Sequence, residues 1–133
     1  MIKKQFTLYL ENKPGMLAKV TRLLAGNRVN IEGISISAST DIGLVQIVVD
    51  NAGVTRKALT SAKISFSVQD VVLIPLPHKP GSLARIVSEV SKAGVNINYV
   101  YATGCDCKQG CHCYAILSAP DLKKVEKAWK QMA

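Results

Sequence analysis

All four cysteines and one of the two histidines fall within residues 104–113, GCDCKQGCHC. No other part of the 133-residue sequence concentrates reactive side chains in this way. Cys105, Cys107, Cys111 and Cys113 form two Cys-x-Cys pairs with three residues between them. Thiolates suit soft metals, so the candidates are zinc, copper(I) or an iron–sulfur cluster. A three-residue hairpin loop over Lys108, Gln109 and a left-handed Gly110 sets Cys107 opposite Cys111 and Cys105 opposite Cys113. Such partners stand about 4.5–5.5 Å apart at Cβ, close enough for four thiols to share one ion. The spacing is shorter than the Cys-x2-Cys of common zinc knuckles, and free, redox-labile thiols are the competing reading. Catalysis has less to work with. His78 and His112 are the only histidines, and no Ser-His-acid or paired-carboxylate pattern accompanies them. Within Cys111-His112-Cys113, neighbours along a strand point to opposite faces, which separates thiol from imidazole. No enzyme activity is expected.

The bulk of the chain narrows the class further. Apolar residues make up 48% and charged residues 20%, the balance of a chain that folds around a core. No apolar run reaches the roughly 18 residues of a membrane helix. The start, MIKKQFTLYLENKPG, alternates and then turns, without the apolar block of a signal peptide. The expected location is the cytoplasm, away from membranes, where thiols stay reduced. The net charge of +8 raises the question of nucleic acid. The basic residues are scattered, with a mild concentration at Lys123, Lys124, Lys127 and Lys130, and no aromatic-studded strand accompanies them. A solvated surface is the expectation, with no nucleic-acid partner.

The elements that must carry these groups come in two copies. Residues 13–31 read KPGMLAKVTRLLAGNRVNI, and residues 79–97 read KPGSLARIVSEVSKAGVNI, at a constant offset of 66. Lys13/Lys79, Pro14/Pro80, Gly15/Gly81, Leu17/Leu83, Ala18/Ala84, Val29/Val95, Asn30/Asn96 and Ile31/Ile97 are identical. Repetition of this kind marks one structural unit used twice. The two units are expected over residues 1–70 and 71–133. A unit of that size buries only about 60% of its unfolded surface, so the copies should pack on one another or on another chain.

Periodicity orders the elements within each unit. Phe6, Leu8 and Leu10 alternate with polar neighbours as a strand, and Met16, Leu17, Val20, Leu23 and Leu24 follow helical spacing after Pro14. Strands over 30–38 and 44–50, a helix over 54–62 and a strand over 64–69 complete βαββαβ. The second unit repeats it with a strand at 71–76, a helix at 80–93, strands at 95–103 and 112–118, and a helix at 121–131. Right-handed crossovers then give an α+β, ferredoxin-like sheet with both helices on one face. The second unit lacks its last strand, which leaves an edge of 71–76 open. Either residues 64–76 run as nearly continuous extended chain between the sheets, or a strand from another molecule closes the gap.

The stretches LENKPGMLAKVTRLLAGNRVNIEGIS and LPHKPGSLARIVSEVSKAGVNINYVY resemble the opening halves of two ACT domains. The resemblance rests on Pro-Gly-x-Leu-Ala after a strand with Val-Asn-Ile about fourteen residues on, seen twice. It implies a regulatory module that binds a free amino acid or similar small metabolite, commonly between paired units, and acts on a homo-oligomer or a partner enzyme. It also implies that the ligand lies against the loop between first strand and first helix, beside the second strand of a neighbouring unit. The residues so marked are Asn12, Gly15, Met16, Leu17 and Asn30, with His78, Gly81, Ser82, Leu83 and Asn96 in the second copy. A helix N-terminus suits a carboxylate, and glycine admits a ligand to the backbone. Gly15 and Gly81 have an alternative role in turn geometry, and Asn12 in satisfying loop or helix-start N–H groups. Asn30 and Asn96 have one as left-handed or self-bonding residues after a helix, and His78 as a solvated loop histidine. Some relatives carry a histidine where Leu10 stands, so that contact is absent here.

Against this frame the cysteines fall in the turn between the second and third strands of the second unit. The first unit makes that turn without cysteine and about two residues shorter. Parity opposes convergence: Val100 and Ala102 face the helices, so Cys105 and Cys107 face away, whereas inward Leu117 carries Cys111 and Cys113 inward. The cysteine stretch is expected to lie away from the Pro-Gly turns. A metal- or redox-responsive protein built on the hairpin is the alternative function.

Overall fold

The computed structural model describes residues 1–103 and 113–132. The elements run β1 (Ile2–Glu11), α1 (Met16–Gly26), β2 (Ile31–Ala38), β3 (Ile42–Val49), α2 (Ala52–Ser61), β4 (Phe66–Leu76), α3 (Ser82–Lys92), β5 (Tyr99–Ala102), β6 (Cys113–Ser118) and α4 (Leu122–Met132). The chain divides into two compact units, Lys4–Gln69 and Asp70–Ala133, and the second also takes Met1–Lys3. β1 and β4 therefore contribute residues to both units.

The first unit has the strand order β2-β3-β1-β4, the ferredoxin-like arrangement. Phe6 lies opposite Ile47, Leu8 opposite Val45 and Leu10 opposite Gly43. Opposed residues share a face of the sheet, so the alternation in β1 and β3 aligns one apolar surface. Val20 and Leu24 of α1 and Leu59 of α2 cover that surface. Phe66 of β4 packs its ring on Phe6 with centroids 5.6 Å apart.

The second unit repeats the order as β5-β6-β4-β1, with Val72 opposite Leu117 and Ile74 opposite Ala115. Ile86 and Val90 of α3 and Val125 of α4 close its core. The fourth strand position is filled by Met1–Lys3. The Leu73 N–H donates to the Met1 carbonyl at 2.7 Å, and the Met1 ammonium donates to the Leu73 carbonyl at 3.1 Å. The same ammonium pairs with Glu126 at 3.3 Å. At Leu73 the edge expected to be open along 71–76 is thus met by the chain's own residue Met1. The physical reason is that the extended chain expected over 64–76 is one strand, Phe66–Leu76, long enough to have neighbours in both units.

Other boundaries differ from the periodicity. α1 and α3 begin at Met16 and Ser82, two residues beyond the prolines. The strand expected over 95–103 shortens to Tyr99–Ala102, because the Val95 N–H still bonds the Val90 carbonyl and the sheet is reached only at Asn98, whose N–H donates to Ser118. The left-handed residues after α1 and α3 are Arg28 (φ 58) and Gly94 (φ 76), not Asn30 and Asn96. The second hairpin is longer than expected. Leu10 pairs with Gly43, 33 residues on, whereas its counterpart Leu76 pairs with Cys113, 37 residues on, a difference of four.

Candidate functional site

The repeated Pro-Gly is a type II β-turn in both units. The Met16 N–H donates to the Lys13 carbonyl at 3.4 Å, and the Ser82 N–H to the Lys79 carbonyl at 3.3 Å. Gly15 has φ 89 and ψ −14; Gly81 has φ 91 and ψ −11. These are the angles of the third residue of a type II turn, where proline favours the second place and the third requires positive φ. A Cβ on either glycine would meet nothing within 4 Å. Backbone conformation, not crowding by the protein, therefore demands glycine, and the space above it is open.

Each turn opens a helix that no side chain caps. The other helix of each unit differs: Asn51 Oδ1 accepts from the Val54 N–H, and Asp121 Oδ1 from the Lys124 N–H. A capping side chain satisfies first-turn N–H groups, and α1 and α3 leave that role unfilled.

A small cavity lies beside each turn. The first holds about 180 Å3 among Leu10, Asn12, Met16, Leu17, Ile36 and Val45. The second holds about 120 Å3 among Leu76, His78, Ser82, Leu83, Ala102 and Cys113. Leu10/Leu76, Asn12/His78, Met16/Ser82, Leu17/Leu83 and Ile36/Ala102 are repeat equivalents at offset 66. Asn12, Met16 and Leu17 thus meet around the first cavity, and His78, Ser82 and Leu83 around the second. Gly15 and Gly81 shape the turns. Asn30 and Asn96 sit past the far ends of α1 and α3, roughly 16 Å along an eleven-residue helix from the turn of the same unit.

The polar side chains have definite partners. Asn12 Nδ2 donates to the Ser39 carbonyl at 3.0 Å, and its N–H donates to the Asp41 carbonyl at 2.8 Å. The amide thus ties the β2–β3 turn to the start of the Pro-Gly loop. Asn30 holds the chain to Asp50 through its backbone: its N–H donates to Asp50 Oδ1 at 2.9 Å, and the Asp50 N–H returns to its carbonyl at 3.1 Å. His78 is exposed at the rim of its cavity.

Cys113, expected with the rest of 104–113 to lie away from the turns, lies beside one. It is buried opposite Leu76 and forms a wall of the cavity that His78 and Ser82 line. Register is the cause: Leu76 ends β4 at the loop, and its partner across the ladder is necessarily at the loop too. Its inward orientation is the one parity gives, since Leu117, Ala115 and Cys113 share a face. Cys105, Cys107 and Cys111 lie outside the described residues, and among the described residues no three metal-ligating side chains cluster. Sequence reasoning also missed Thr103 and Tyr114, which line this cavity and are tied together by the Thr103 N–H to the Tyr114 carbonyl at 2.9 Å.

Two ferredoxin-like units in one chain, each with a type II turn, an uncapped helix and a cavity, define a tandem module. The chain belongs to the ACT domain pair family, whose pattern matches residues 1–118. Among solved structures it is similar to protein BT0572 from Bacteroides thetaiotaomicron, with 29% identity, 99% of this chain and 89% of that one covered, and a TM-score of 0.87. The regulatory subunit of aspartate kinase from Thermus thermophilus, in a ligand-free form, shares the fold at 20% identity, with coverage of 98% and 94% and a TM-score of 0.68. The corresponding subunit from Thermus flavus matches at 19% identity, 98% and 94% coverage and a TM-score of 0.55. None of the curated proteins matches this sequence. Among the described residues no helix is long and apolar enough to cross a membrane.

Proposed function

We propose that this chain is a non-catalytic regulatory protein that binds a free amino acid, or a similar small metabolite, at the cavities beside its Pro-Gly turns. The observation that carries the reading is the repetition of the same left-handed glycine, uncapped helix start and adjoining cavity in both units. First-turn N–H groups and the positive end of the helix dipole favour a carboxylate. The cavities fall below the ~300–1,000 Å3 of drug-sized ligand pockets, which selects for a small molecule. Leu17 and Ile36 at the first cavity and Leu83 at the second are exposed apolar side chains. They offer contacts to a second copy or a partner enzyme, through which occupancy is read out in the cytoplasm.

The test is thermal unfolding with each of the twenty amino acids. A ligand specific for the folded state stabilises by about 2.7 kcal/mol at a hundred times its Kd, which raises Tm by several degrees. Asn12→Ala and His78→Ala should weaken the response. No shift with any amino acid rules out the amino-acid version of this reading, and a shift with zinc or copper(I) beside it favours the second reading below.

A second reading draws on Cys113, whose buried thiol shares its cavity with His78. In it the hairpin thiols bind zinc, copper(I) or an iron–sulfur cluster, or respond to redox state, and so alter that cavity. Metal content and thiol titration of protein purified without oxygen decide it. Four freely titrating thiols and no metal remove the metal version.

A further inference from the structure

Each unit also carries a groove between its two helices, at the end of α1 or α3 that lies farther from the Pro-Gly turn. In the first unit it holds about 430 Å3, with Leu23 and Asn27 on one bank and Val54, Lys57, Ala58 and Ser61 on the other. In the second it holds about 330 Å3, with Glu89, Lys92 and Ala93 facing Lys124, Lys127 and Ala128. The two are one feature copied. Leu23/Glu89 and Asn27/Ala93 are equivalents at offset 66, and Val54/Lys124, Lys57/Lys127 and Ala58/Ala128 are equivalents at offset 70, past the lengthened hairpin. The lysine at 57 and 127 and the buried alanine at 58 and 128 are shared. The second copy differs by gaining Lys124 in place of Val54 and Lys92 in place of Gly26.

The lysines of α4 work against the helix that bears them. Lys123 and Lys124 stand in its first turn, where the helix dipole disfavours a cation. Lys127 follows Lys123 at i+4 and Lys124 at i+3, spacings at which like charges repel. Lys124 and Lys127 are exposed, and among the described residues neither makes an ion pair. Lys92 and Lys130 differ, pairing with Glu89 at 3.2 Å and with Glu126 at 3.5 Å. α2 opens with Gly53 and Val54 at the places of Lys123 and Lys124, so the groove forms without those charges. A local rule broken with no structural return points to a use outside the fold.

We propose that the groove between α3 and α4 docks an acidic segment of a partner protein. Lys92 on one bank and Lys124 and Lys127 on the other take its carboxylates, while Ala93 and Ala128 leave room for the segment between the helices. Arginine forks suit phosphates and aromatic rings take unstacked bases, and neither residue type lines this groove. Carboxylates are therefore favoured over a nucleic acid. The net charge of +8 draws an acidic partner from a distance. The proposal does not depend on ligand binding at the Pro-Gly cavities.

Fluorescence anisotropy on the intact protein tests it, with three fluorescein-labelled probes: a Glu-Ala repeat peptide, its Gln-Ala counterpart and an oligothymidylate matching the first in charge. The Glu-Ala peptide should bind saturably, the Gln-Ala peptide should not, and the affinity should fall as salt is added. Lys124→Glu combined with Lys127→Glu should weaken binding by about tenfold or more. The same variant should hold or raise Tm, because a carboxylate in the first turn suits the helix dipole. Arg56→Glu combined with Lys57→Glu changes the net charge equally on exposed residues of α2, and should leave the affinity within about twofold. Equal weakening in the two double variants overturns the proposal, since net charge and not the groove is then being read. Tighter binding of the oligothymidylate than of the Glu-Ala peptide also overturns it, as does an absence of saturable binding by that peptide.

Discussion

A single backbone angle explains the strongest signal in the sequence. Gly15 and Gly81 hold φ near 90°, where an L side chain is strained even in open space. Gly15→Ala and Gly81→Ala should each destabilise by about 1–2 kcal/mol, with asparagine costing less because it tolerates left-handed backbone. Gly43→Ala is the control: its Cβ would make only an ordinary 3.8 Å contact with the Leu10 carbonyl, so Tm should barely move. Tyr101 gives a prediction on pH. Burial, and secondarily Tyr99 beside it, push its hydroxyl well above the usual value near 10. The raised folded value means that its contribution to stability is complete below about pH 10 and is lost as pH rises toward the folded value. Absorbance titration at 295 nm should show Tyr101 ionising last, and Tyr101→Phe should remove that alkaline component. The glycines were legible because one residue type serves this conformation. Arg28 was not, since only its counterpart Gly94 displays the same left-handed need in its identity.

Among the elements, β4 joins two stretches of different sequence pattern. The stretches 64–69 and 71–76, read as separate strands with nearly continuous extended chain as one expectation, are one strand, Phe66–Leu76, in which Asp70 is exposed. A strand's edge hydrogen bonds do not depend on the side chain, so the polar residue interrupts the pattern without interrupting the ladder. The pairing of Met1 with Leu73 left no trace in the sequence because main-chain bonding is blind to residue type. Removing residues 1–3 deletes the hydrogen bonds between Met1 and Leu73 and also the exposed pair with Glu126; the lost hydrogen bonds should lower stability by about 1–3 kcal/mol. Unfolding followed by Trp129 fluorescence measures this, since that residue belongs to the affected unit. Leu122, Val125, Trp129 and Met132 stand at helical spacing on α4, with lysines between them. Which of those lysines border a groove was not readable, because its other bank is on α3, two strands earlier in the chain.

At the scale of the molecule, the duplication was plain and its seam was not. The repeat offset places a boundary near residue 70, and the second unit nevertheless includes Met1–Lys3. A chain of residues 71–133 alone lacks that strand and should be poorly folded, with weak near-ultraviolet circular dichroism. Adding a peptide of residues 1–11 should partly restore it. A well-ordered 71–133 would show that the edge strand is dispensable. Both Pro-Gly cavities were foreseeable from the duplication, since a copied loop brings a copied recess. The presence of Cys113 in one of them required the hairpin register, which four extra residues disguise.

The location of Met1–Lys3 also bears on how the chain is made and handled. These residues leave the ribosome before any of residues 70–133, so the unit they belong to is completed only late in synthesis. Anything joined ahead of Met1, such as an affinity tag, replaces the ammonium that pairs with Glu126 and crowds the edge at Leu73. A tag at the amino terminus would therefore be felt in the unit farthest along the chain, the one that carries Trp129 and Cys113.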